Sequence, residues 1–207
     1  MSAASVIADP DLSLYLMATP LIDRQPAIVA LASALSQGCT TDVAVAKNCF
    51  EWVRDQVRHS VDYRLNPVTC RASDVLAHRT GYCYAKSHLL AALLRANGIP
   101  AGFCYQRLSI GWGLDKARVL YCLHGLNAVY LQAFGWYRVD PRGNRSGIDA
   151  QFTPPVERLA FSLDDSGERT FPEILPAPLV AVVQALTQYS TWQDVLNHLP
   201  DACCLTG

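Results

Sequence analysis

The chain has no run of lysine or arginine, and over 207 residues its formal net charge is −1. That leaves no electrostatic footprint for nucleic acid or for an anionic membrane. No apolar run approaches the length of a membrane span, so no membrane partner is expected. The first residues lack a basic n-region and meet acids at Asp9 and Asp11, which argues against a secretion signal and for a cytoplasmic protein. No Cys-x-x-Cys pair occurs, which removes the usual support for structural zinc; neither metal nor cofactor is expected. Without a secretion signal, the eight cysteines read as free thiols of a reducing compartment rather than as a disulfide framework. Charged residues make up only 17% and hydrophobic ones 51%, which excludes a disordered chain. No internal repeat or low-complexity tract is present. At this length the default is one domain over residues 1–207 with a core of its own.

What is present begins with helices. Residues 1–22 are apolar and punctuated by proline, a packed N-terminal arm. Pro26 suits the first turn of a helix over 26–35 with Ile28, Leu31 and Leu35 on one face, and Gly38 ends it. Thr41 can cap a second helix, where Ala46, Cys49, Phe50, Val53 and Val57 keep the 3.6-residue period to about residue 58. Residues 59–70, with Asn66-Pro67, read as a loop, and a short helix over 72–77 follows. After Pro100 the period falls to two. Short aromatic and β-branched runs at 101–108, 118–124, 128–132 and 136–140 read as four strands, with a Gly-containing loop at 109–116 and a tight hairpin at 133–135. Residues 141–178 are irregular and proline-rich, as in a stretch that covers a core or frames a site. Two helices close the chain, over 179–190 and after the cap Thr191. Helices first, then an antiparallel meander, is the α+β pattern.

Between the two halves lies Thr80-Gly-Tyr-Cys83, followed by a helix with Leu89, Ala92, Leu93 and Ala96 in its stripe and Asn97-Gly98 at its end. Gly81 supplies a flexible turn, and Cys83 falls in the first helical turn. Free N–H groups and the macrodipole favour a thiolate there, so Cys83 is a candidate nucleophile. Such a group needs a base and the base needs an orienter. Of the five histidines, His124 ends a predicted strand and so reaches a sheet rim. Asp140 ends another, just before Pro141, and is placed to accept from the imidazole.

Gly81-x-Cys83, the Leu-Leu-x-x-Leu-Leu-Arg-Ala-x-Gly-Ile-Pro100 run, His124 and Gly-Trp-Tyr-Arg-Val-Asp140-Pro141 together resemble the core of the transglutaminase-like superfamily. The resemblance extends upstream through Glu51–His59 and Ala72–Leu76 and spans about residues 41–142, leaving a helical arm at 1–40 and a loop with helices at 143–207. It implies a papain-like fold, helices packed on an antiparallel meander, and a Cys-His-Asp triad. Cys83 would form an acyl-thioester from a peptide, protein or small amide or ester substrate, His124 would move the proton, and Asp140 would orient His124. The acyl group would pass to water or to an amine. The Cys83 N–H would be one oxyanion donor, with the second from upstream, Tyr63 or a neighbour at 59–64. Two positions depart from the family pattern: Leu126 stands where a tryptophan is frequent, and Gly102 where an arginine is usual. No acidic cluster suggests calcium sites.

The remaining features have plainer readings. Tyr82 and Trp112 can line a substrate groove, although aromatics most often pack. His88 reads as a solvated helical position. Cys122 and His124, on one side of a strand, lack the further ligands a metal site needs. Cys203-Cys204 reads as a frayed tail. The rival to an enzyme is a non-catalytic interaction module that keeps the fold. Oligomeric state is not legible in the sequence.

Overall fold

The structure is a computed structural model that describes residues 11–110, 120–164 and 167–205. A short 3-10 helix, Leu12–Leu16, opens the described chain, and Tyr15 anchors it by donating from its hydroxyl to Ile174 O at 2.8 Å. Helix α1 spans Pro26–Ser36 with proline in its first turn, where a missing N–H costs no intrahelical bond. Helix α2 spans Asp42–Gln56, and Thr41 caps it by accepting from Ala44 N. Ala46, Cys49, Phe50 and Val53 form its buried face; Val57, expected with them, is the C-cap just beyond the helix and is also buried.

Residues 59–70 are not all loop. Strand β1, Arg58–His59, is followed by the one-turn helix α3, Ser60–Tyr63. Helix α4, Ala72–His78, then leads into strand β2, Thr80–Gly81, which pairs in parallel with β1. Helix α5, Cys83–Ala96, packs against α1, α2 and α4 on one side and against β3 and β4 on the other.

Burial of α5 is not confined to one stripe, because every residue from Cys83 to Arg95 is buried. A helix enclosed on all sides must satisfy its polar side chains internally. Arg95 donates to Ala101 O, Met17 O and Pro176 O, and Lys86 Nζ donates to Arg54 O and Val57 O at the end of α2. His88, expected in solvent, is buried, with Nδ1 2.7 Å from Cys70 O.

The sheet runs in the order β5-β4-β3-β6, all antiparallel, from β3 (Ala101–Ile110), β4 (Leu120–Leu131), β5 (Gly135–Val139) and β6 (Arg169–Thr170). The two strands expected at 118–124 and 128–132 are a single strand, so His124 lies within β4 and not at its end. The residues between them look like a turn in sequence but serve packing. Asn127 is fully buried and its amide donates to Ser87 O and Gly102 O, each at 3.1 Å, joining β4 to α5 and β3. A Cβ at Gly125 would meet Tyr84 Cδ1 at 2.7 Å. The hairpin between β4 and β5 closes at Leu131↔Gly135, and Gly135 adopts φ 72°.

The proline-rich stretch covers the outer edge of β3: β6 pairs with Gln106 and Arg107, and Leu175 exchanges hydrogen bonds with Phe103 at 2.8 and 2.9 Å. Helices α6 (Val180–Gln188) and α7 (Trp192–Asn197) close the chain, with Thr191 capping α7. This mixture of helices and antiparallel sheet is the expected α+β class. Much of the loop expected at 109–116 lies outside the described residues, while Ser109 and Ile110 belong to β3.

Candidate active site

Three elements meet at Cys83. It is the first residue of α5, and its N–H is among those with no partner inside the helix. Backbone packing sets its place. Gly81 has no positive φ; it pairs with His59 across β1 and β2, and a Cβ there would come within 3.0 Å of Ala85 Cβ and 3.1 Å of Thr69 Oγ1. Gly81 therefore serves close packing, and the flexible turn expected there is absent. Tyr82 precedes the helix in an extended conformation, and its buried hydroxyl donates to Trp192 O in α7.

Strand β4 crosses this first turn. Gly125 N donates to Cys83 Sγ at 3.5 Å, a contact that the bare Gly125 backbone permits. The neighbouring His124 lines the same cleft as Cys83 and places Nε2 2.7 Å from Asp140 Oδ2, which leaves Nδ1 free of the carboxylate. Asp140 follows β5 directly and is completely buried. Its Oδ2 also accepts from Ala160 N at 3.2 Å and its Oδ1 from Arg142 N at 3.1 Å. Phe161 sets its ring edge-on to His124 with centroids 4.9 Å apart.

Burial alone would push the His124 pKa down, but the Asp140 carboxylate and Cys83 reverse this and raise it to about 10. Burial would push the Asp140 carboxyl up, and His124 with the two backbone donors holds it below its ordinary value. The pair therefore favours an imidazolium against a carboxylate.

A cleft of ≈ 880 Å³ exposes Cys83 and His124. Tyr82, Leu108, Phe161, Leu196 and Leu199 supply apolar wall, and Asp62, Arg142 and Arg145 border one end. Tyr82 thus lies in the wall of this cleft. Tyr63 is 57% exposed, lies under Arg58, and borders a neighbouring cavity instead of the Cys83 cleft. Trp112 lies outside the described residues. Among residues 59–64, His59 stands nearest in topology to the nucleophile turn, paired with Gly81 and edge-on to Tyr82 at 5.8 Å. Gly125, Arg142, Phe161 and the α7 wall carried no motif of their own, although Arg142 follows Asp140-Pro141 and Gly125 follows His124.

The two departures from the family pattern have local causes. Gly102 lies under Tyr15 and Ile174, and a Cβ there would come within 2.4 Å of Ile174 Cγ2. Leu126 is buried in a small cluster with Tyr15, Cys104, Ala128 and Ile174. The N-terminal 3-10 helix and the proline-rich stretch therefore fill this side of the sheet. Among the described residues no group of three or more His, Cys, Asp or Glu side chains is arranged to hold a metal ion, and no helix is long and apolar enough to cross a membrane.

The same fold occurs in solved structures. A candidate cysteine protease from Cytophaga hutchinsonii superposes with a TM-score of 0.50 at 20% identity, over 65% of this chain and 43% of that one. The periplasmic domain of TgpA from Pseudomonas aeruginosa gives 0.48 at 25% identity, over 64% and 47%. Red sea bream transglutaminase gives 0.38 at 14% identity, over 64% and 26%. The chain thus spans less than half the length of these structures. No curated protein matches it. The family model described as the transglutaminase-like superfamily matches residues 29–141, more than half of the chain and all three of Cys83, His124 and Asp140. With helix, strand and hairpin meeting at those residues, the chain belongs to the transglutaminase-like superfamily.

Proposed function

We propose that the protein is a thiol enzyme that cleaves or transfers an acyl group through a thioester on Cys83. The observation that carries this reading is that Cys83, at the start of α5, and His124 line one cleft, with Asp140 2.7 Å behind the imidazole. With its proton already on His124 before substrate arrives, Cys83 attacks an amide or ester carbonyl as the thiolate. The carbonyl oxygen becomes an oxyanion that accepts from the Cys83 N–H. Collapse breaks the bond to the leaving group, which takes the proton from His124, and the acyl group remains on sulfur. Water or an amine then gives its proton to His124 and attacks the thioester, and the thiolate departs. Asp140 keeps the ring oriented and supports its positive charge.

The substrate is a peptide, a protein or a small amide or ester. The apolar wall of Leu108, Leu196 and Leu199 favours an acyl donor with an apolar portion. Iodoacetamide labelling with residue-level mass spectrometry tests the nucleophile. Cys83 should react fastest, ahead of the exposed Cys203 and Cys204; equal or slower labelling of Cys83 would overturn the reading. An amide and ester panel, with and without added amine, should then lose turnover in Cys83→Ala.

A further inference from the structure

Beside the cleft at Cys83 lies a second cavity of ≈ 350 Å³, and His59, Asp62, Arg142 and Arg145 line both. In a chain of net charge −1, four guanidinium groups (Arg54, Arg58, Arg142 and Arg145) border this side cavity against two carboxylates, Asp55 and Asp62. They come from distant segments of the sequence, so no basic run announces them.

Two of the four are occupied. Arg54 binds both Asp55 oxygens, at 2.7 and 2.9 Å, and donates to Ala150 O at 3.0 Å. Arg142 grips Asp62 at both oxygens, at 2.8 and 3.0 Å. The other two are less committed. Arg145 pairs with Asp62 from Nε at 3.5 Å, with its side chain 57% exposed. Arg58 rests over the Tyr63 ring at 5.3 Å and forms no ion pair among the described residues.

At the junction of the two cavities sits His59, more than nine-tenths buried, whose Nδ1 has no hydrogen-bond partner. The nearest carboxylate, Asp62, is 3.8 Å away and already committed to Arg142. Burial, then the Arg142 charge, keeps the imidazole neutral. A buried ring nitrogen without a partner, lining both the Cys83 cleft and the cavity that Arg58 and Arg145 border, fits the polar part of a ligand.

We propose that the side cavity binds a carboxylate of the acyl donor, held by Arg58 and Arg145, while His59 meets the polar chain between that carboxylate and the scissile carbonyl. This rests on the reading of Cys83 as nucleophile. One negative charge suits two guanidiniums that already stand beside two carboxylates; a phosphate dianion would meet more repulsion. The carboxylate is either an acidic side chain or a free main-chain carboxylate next to a side-chain-linked carbonyl.

Three matched probes separate these sources: N-acetyl-α-glutamyl amide, N-acetyl-γ-glutamyl amide and the neutral N-acetylglutamine amide. Each is tested, on the full chain, for slowing iodoacetamide alkylation of Cys83. At least one acidic isomer should protect at concentrations about tenfold below the neutral probe, the scale of a charge-assisted contact. In the Arg58→Gln, Arg145→Gln double variant, both surface changes, that preference should vanish. The better isomer identifies the carboxylate's source. Equal protection by acidic and neutral probes, no protection by any, or a preference retained in the double variant would overturn the proposal. A Cys83 that fails to react with iodoacetamide at all would instead overturn the nucleophile reading, so the two failures are distinct.

Discussion

His124 and Asp140 share a 2.7 Å hydrogen bond with no exposed carboxylate surface, and the same Asp140 oxygen accepts from Ala160 N. The carboxylate is thus fixed by the loop that follows β5 as well as by the histidine. Its charge, together with Cys83, raises the ring's pKa against the opposing effect of burial.

Asp140→Asn removes that charge and should bring the His124 pKa down from about 10. With the proton donor depleted, the alkaline limb of the kcat/KM profile should move to lower pH. The rate should fall by about 10²–10⁴. An unchanged alkaline limb would show that Asp140 does not govern the ring.

The same pair makes folding stability depend on pH. His124 is raised, so its contribution is complete below the ordinary histidine value of 6.5 and is lost as pH rises toward about 10. Asp140 is lowered, so its contribution is present above 3.8 and is lost as pH falls through its depressed value. Urea midpoints should therefore decline between pH 6.5 and 10 more steeply in wild type than in His124→Gln. Parallel profiles would contradict the shift.

Gly125→Ala introduces a Cβ 2.7 Å from Tyr84 Cδ1 and 3.3 Å from Tyr84 Cα, where neither strand nor helix has room to yield. The expected cost is about 1–3 kcal/mol in urea unfolding. Because Gly125 is adjacent to His124 and donates to Cys83 Sγ, activity should fall further than the lost folded fraction explains.

Arg95→Leu leaves the carbonyls of Met17, Ala101 and Pro176 without their shared donor. Those residues belong to the N-terminal segment, β3 and the proline-rich stretch, so the loss loosens three segments at once. Destabilisation of at least about 3 kcal/mol is expected from chemical denaturation. Tyr82→Phe is milder: loss of its bond to Trp192 O should cost about 1 kcal/mol and, by loosening the α7 wall, raise KM more than it lowers kcat.

What the sequence disclosed follows from how local each signal is. Thr41 and Thr191 could be read as caps because a cap is a contact over three residues, and both accept as expected. Cys83 at a helix start, with His124 and Asp140 in order behind it, was legible as a motif. The single strand β4 was not, because Gly125 and Asn127 look like turn residues unless one knows that Tyr84 and Ser87 lie against them. His88 looked like a surface position, since nothing in one helix discloses that it is enclosed on both sides. The arginine-lined cavity escaped for the same reason: Arg58 and Arg145 come together only after the β1 turn and the loop after Asp140 have folded.

Enclosure of α5 also ties the reactive centre to the stability of the whole molecule. Amide protons from Lys86, the first donor bonded within the helix turn, to Arg95 should exchange only through global opening, at the slow limit of the protein. The nucleophile therefore has no partially melted state in which it could be lost alone. Heat inactivation and cooperative unfolding should trace one curve.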